Sequence, residues 1–154
     1  VRKTTTLLGV LLLVAACSTS SRMTPAERLD WYRAHAGEPV RSIAVTGRLW
    51  GWRSLGDRAL AIWTRSDQGF LVDLMGACPD MAFATSIGVT TRSNRVLAGF
   101  DSIVVQRGGV PGGRTLCRID TIRPLNTRVV KEAKSDLNDA DLVERDPSMP
   151  DEPQ

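Results

Sequence analysis

Runs of alternating apolar and polar residues, each closed by a tight turn, constrain this 154-residue chain more than any other feature. Successive side chains of a strand point to opposite faces, so period-two runs joined by a few residues fold back as antiparallel hairpins. Ile43, Val45 and Leu49 alternate in the first run, and Trp50-Gly51-Trp52 then sets two indoles two residues apart, on one face of a strand. Residues 55–58 read as a turn, and 59–64 as a strand with Leu60 and Ile62 on one side and Trp63 on the other. Residues 66–69 read as the next turn, before the alternation of Phe70, Val72 and Leu74. Gly76-Ala77-Cys78-Pro79-Asp80-Met81 breaks the ladder, and a short helical turn is expected to about Ala84. Further strands are expected through Ile87, Val89 and Thr91, then, past a turn at residues 92–95, through Ile103 and Val105. The last strand, 115–125, carries Cys117 and Ile119 in phase and Ile122 out of phase, which predicts a bulge.

This strand-rich body is flanked by two different ends. Thr24-Pro25-Ala26-Glu27 predicts a helix start: Thr24 as N-cap, Pro25 where a missing N–H costs nothing, and Glu27 completing a capping box. The helix should run to about Ala36 and stop at Gly37, with Leu29, Tyr32 and Ala36 on the face that docks against the body. Beyond Asn126 the pattern fades; Val129, Val130, Ala133 and Leu137 would support only a brief helix. Residues 131–154 hold three basic residues against eight acidic ones, a net −5, and include Pro147, Pro150 and Pro153, which reads as a disordered tail. The expected organisation is therefore residues 1–16 as a removable leader, 17–23 as a tether, 24–127 as one small mainly β domain, an antiparallel sheet or barrel-like body with one N-terminal α-helix, and 128–154 as an acidic tail.

The leader rests on a resemblance. Arg2 and Lys3 precede an apolar run from Leu7 that ends in Val14-Ala15-Ala16-Cys17. The run is too short to span a bilayer, which takes about 20 apolar residues, and has the length of a signal-peptide core. The segment resembles a bacterial lipoprotein signal peptide with 14–17 as its lipobox. The resemblance implies cleavage before Cys17, acylation of its sulfur and anchoring by several chains, since one chain alone holds only marginally. Ser18 stands where an Asp would imply retention at the inner membrane, so the expected address is the outer membrane, facing the periplasm; the periplasmic face of the inner membrane is the alternative. The tether at 18–23 is polar and small.

With Cys17 acylated, Cys78 and Cys117 remain. In an oxidising periplasm two cysteines read as one disulfide, closing a loop of about 40 residues for about 4 kcal/mol. Two free thiols, or a metal pair lacking partners, are the alternatives; zinc wants about four ligands, and the single His, His35, is distant in sequence. Residues 17–130 carry 15 basic residues, all Arg, and 9 acidic ones, a net +6. No basic helix, Cys/His spacing or RNA-binding sheet motif accompanies that charge, so nucleic acid is not an expected partner. The glycines of 108–113 lack the Lys-Ser/Thr and the following helix of a phosphate loop.

Cys78-Pro79-Asp80-Met81, together with Cys117-Arg118-Ile119-Asp120-Thr121-Ile122-Arg123-Pro124-Leu125, is similar to a family of small secreted bacterial proteins of unknown function. Strand 59–64 and segment 99–105 fit the same pattern. The similarity covers roughly residues 40–125 and implies a β-rich domain that brings the two Cys together, but no activity. The residues themselves argue against an enzyme. Asp57, Asp73, Asp80, Asp101 and Asp120 are scattered through turns and strands, and no motif places a nucleophile or carboxylate beside His35. No cofactor or metal is expected. The leading expectation is a structural or interaction component of the cell envelope, membrane-anchored and docking on a protein partner. The alternative is a module that binds an envelope glycan such as peptidoglycan, or a small ligand, on Trp50 and Trp52; against it stands the tendency of Trp to fill a core.

Overall fold

The computed structural model of the protein describes residues 23–109, 113–128 and 130–131. Helix α1 (Pro25–Ala34) starts as its sequence dictates: the Glu27 amide donates to Thr24 Oγ1 at 3.2 Å and the Thr24 amide to Glu27 Oε2 at 2.7 Å. It stops two residues earlier than expected. Ala36 has left the helix and bridges Leu125 of the body, and Gly37 donates to the Pro124 carbonyl at 2.8 Å.

Strands β2 (Gly51–Ser54), β3 (Ala59–Arg65) and β4 (Gln68–Leu74) form an antiparallel meander through the turns read from the sequence. A 3-10 turn, Pro79–Phe83, follows and leads into β5 (Ala84–Val89). The strand expected through Ile87, Val89 and Thr91 lies earlier: β5 begins at Ala84 and ends at Val89, leaving Thr91 outside it. Ser93 and Asn94 both take positive φ, 50° and 59°, the signature of a type I′ hairpin turn, with Arg92 and Arg95 bridged across it. That turn opens a short strand the sequence pattern misses, β6 (Arg95–Leu97), which pairs with β1 (Ser42–Ala44) as a separate ribbon. Leu49, expected to continue the first alternation, lies in the connection between β1 and β2. Strands β7 (Ser102–Arg107) and β8 (Arg114–Pro124) complete the set.

The six-stranded sheet runs β2-β3-β4-β8-β7-β5, antiparallel throughout. Its central strand is β8, the longest at 11 residues. The predicted bulge is there: Asp73 pairs with Thr121 and Leu74 with Ile119, so Asp120 is the extra residue. The bulge lets Ile119 and Ile122 face the same side although they are three apart, and both are fully buried.

Each face of the sheet has its own core. Leu60, Ile62, Val72, Ile103, Val105, Ile119 and Ile122 meet inside the curl of the sheet, with Ile43, Val45 and Val96 of the ribbon packed among them. On the outer face of β3 and β4, Ala59, Ala61, Trp63 and Leu71 take the docking face of α1 through Tyr32, with Leu125 and Val130. The two sides of β3 are those its alternation predicts. Cys78 and Cys117 lie in the inner core as a disulfide, Cα atoms 5.9 Å apart, stapling the segment before the 3-10 turn to β8. The described residues are thus mainly β, a nearly closed antiparallel sheet with the N-terminal helix α1 and the Cys78–Cys117 disulfide. No helix among the described residues is long and apolar enough to cross a membrane. Cys17 and the lipobox expected at residues 14–17 lie outside the described residues.

Candidate functional site

A curled sheet that does not quite close leaves its two edge strands facing one opening. Here those edges are β2 and β5, and both line the same cleft, of about 810 Å³. Volumes of about 300–1,000 Å³ are those of small-molecule sites. Val45, just past β1, lines it from the inner core, and Leu49, Ile87 and Val89 line it as partly buried apolar side chains. Thr85 and Ser86 supply hydroxyls from β5, which donate to the carbonyl and Oε1 of Gln106 at 3.2 and 3.0 Å and so hold that edge against β7.

Trp50 and Trp52 are both in this cleft. Trp52 stands across from Ile62 in the β2–β3 register, so it faces the inner core, and it packs there partly buried. Trp50 lies just before β2, with its amide donating to the Trp63 carbonyl at 2.8 Å, and is 58 % exposed. The pair therefore divides the two readings open to it: Trp52 fills the core and Trp50 presents a surface. Arg48, two residues earlier, lines the same cleft and is exposed. Among the described residues it is the one charged side chain of that lining. Sequence reasoning missed Arg48 and the β5 edge. The spacing of Arg48 from Trp50 was the available signal; which strands become edges is set by pairings distant in sequence.

The other chemistry-bearing residues lie elsewhere. His35 is at the end of α1, with Nδ1 2.8 Å from the Trp31 carbonyl, which makes that nitrogen the donor, and its ring 4.3 Å from that of Trp31. Asp73 accepts from Arg33 Nη2 at 3.0 Å and from Thr121 Oγ1 at 3.1 Å. Asp80 accepts from Arg107 at 3.2 Å and from the Thr115 hydroxyl, while the Arg107 guanidinium lies over the Phe83 ring. Asp101 is buried. None of these carboxylates lines the cleft, and no group of three or more metal-ligating side chains occurs among the described residues. The arrangement offers an aromatic face, a guanidinium, hydroxyls and a few apolar side chains, which are elements of binding.

A family model matches residues 1–141, and the family it describes has no known function. No curated protein matches the chain, and no solved structure does.

Proposed function

The chain belongs to a family of unknown function (DUF6491), and since membership supplies no activity, we propose from the geometry that it is a non-catalytic binding module of the cell envelope. Its contact surface is the cleft between β2 and β5. One observation carries this reading: both edges of the sheet line a single opening in which an indole is 58 % exposed, together with the partly buried Leu49, Ile87 and Val89. Aromatic residues so placed are where binding free energy concentrates. Cys17, by its resemblance to a lipobox cysteine, holds the module at a membrane surface, and the residues up to Met23 give a reach of about 20 Å at 3.3–3.6 Å per residue. The outer membrane's periplasmic face is the proposed address.

A photo-cross-linking amino acid at Ser86, in the full-length chain in growing cells, tests the contact surface; Asp120, outside the cleft lining, is the control position. Adducts concentrated at position 86 are expected. Equal adducts at both positions, or adducts at 120 alone, would remove the cleft from consideration. Cys17→Ser should move the protein from the membrane to the soluble fraction. Retention on membranes after a high-salt wash would contradict the anchor.

A further inference from the structure

We infer that the cleft takes an acidic sugar, a pyranose ring bearing a carboxylate or phosphate, with the ring on Trp50 and the charge on Arg48. The inference rests on the binding-module reading and adds the chemical class of the ligand. Three observations point to it. The first is the indole itself, 58 % exposed in the lining of a cleft that also holds Leu49, Ile87 and Val89. The face of an aromatic ring is the negative side of its quadrupole. The C–H groups along one face of a pyranose are weakly positive and apolar, so a sugar can lie flat on it while its hydroxyls stay in water.

The second is the charge of the lining. Arg48 is its sole charged side chain among the described residues, with no carboxylate to oppose it. The third is that Arg48 is uncommitted to an ion pair among the described residues, whereas Arg33 is held by Asp73 at 3.0 Å and Arg107 by Asp80 at 3.2 Å. A guanidinium offers a planar fork that matches carboxylate and phosphate oxygens. A neutral sugar would leave Arg48 without a counter-charge, and a basic ligand would be repelled.

Two envelope sources share this chemistry: the lactyl carboxylate of muramic acid and the phosphate of a phosphorylated glucosamine. Intrinsic Trp fluorescence of the full chain, titrated with N-acetylglucosaminyl-N-acetylmuramic acid, with N-acetylglucosamine 1-phosphate and with neutral N,N′-diacetylchitobiose (chitobiose below), separates them. One acidic probe, which then names the source, should bind at least about tenfold more tightly than chitobiose, as expected for a charge-assisted hydrogen bond. That advantage should shrink in 0.5 M salt. Arg48→Gln should lower acidic-probe affinity to the chitobiose level and leave chitobiose unchanged. Trp50→Ala should weaken every probe. Both side chains are exposed, so unchanged thermal midpoints certify that the variants fold. Chitobiose binding as tightly as the acidic probes, or indifference to Arg48→Gln, would overturn the acidic-sugar inference and leave the cleft standing. Undiminished binding by Trp50→Ala would overturn both. Failure of all three sugars, with Ser86 still forming adducts, would overturn the sugar and keep the cleft.

Discussion

Asp101 is the buried carboxylate among the described residues, 4 % exposed, and each oxygen has a defined duty. Oδ1 accepts from the Thr90 hydroxyl at 2.9 Å and Oδ2 from the Leu97 amide at 2.8 Å, while Thr90 Oγ1 in turn accepts from the Ser102 amide at 2.8 Å. One side chain thus closes the turn between β6 and β7 and ties it to the end of β5. Asp101→Ala leaves two donors unmet, so we expect a loss of about 2–3 kcal/mol in urea unfolding, seen as a lower midpoint at constant m. Asp101→Asn keeps one oxygen acceptor and should lose less. Gly69 is a second position where the residue type is dictated by its neighbour. It lies opposite Trp63, and a Cβ there would come within 3.0 Å of Trp63 Nε1, so the indole lies over bare backbone. Gly69→Ala should displace Trp63 from beneath α1 and change its fluorescence in the unliganded protein. At this scale the sequence was partly legible. Trp50 and Trp52 could be named as a pair, but their different fates depend on how far β2 extends.

The capping box at the start of α1 is the element most completely written in the sequence. Thr24→Ala should cost about 1 kcal/mol, as N-cap losses do. Its pH dependence has a definite sign. Hydrogen bonds from the Thr24 amide and hydroxyl hold the Glu27 carboxyl below its ordinary value of 4.5. The folded state therefore favours the ionised form, and the capping contribution is present above about pH 4.5 and fades as pH falls through the folded value. Glu27→Gln should flatten this acid limb in a pH series of thermal midpoints, while a limb unchanged by the substitution would contradict the assignment. Tyr32 acts at the other end of the scale: burial raises its phenol above 10, so stability holds below that pH and declines as pH rises from 10 through the folded value. Tyr32→Phe should remove that alkaline decline. Among strands, β3 and β4 were legible because their loops are short and each is an apolar run of strand length bounded by turn residues, buried on both faces. Strand β6 was not, because three residues supply too little periodicity to stand out. The bulge of β8 was legible because Ile119 and Ile122 can share a face of one strand only if an extra residue stands between them.

Across the whole molecule, what escaped the sequence was strand order. Local pairing explains β2-β3-β4, but β4 bypasses its successors to pair with β8, which is why β5 ends as an edge and why the cleft exists. The pairing of Cys78 with Cys117 was legible, since two cysteines remained once Cys17 was set aside. The bond joins the 3-10 segment to the central strand across 39 residues. Replacing both cysteines with Ala should cost about 4 kcal/mol by loop-closure entropy. For a domain of this size that lowers the thermal midpoint by roughly 15 °C or more. Reductant should produce a similar shift in the parent chain and none in the double variant.

Because the middle strand of the sheet is also the last to be made, β8 imposes an order of events on biosynthesis. A ribosome that has released the chain only as far as Arg107 presents the β2-β3-β4 meander and the β5–β7 pair with nothing between them. Neither fragment can shield its apolar side until residues 114–124 emerge and splice the two together. Assembly of this body is therefore a terminal, all-at-once event, and an internal deletion of residues 114–124 alone should abolish the fold entirely.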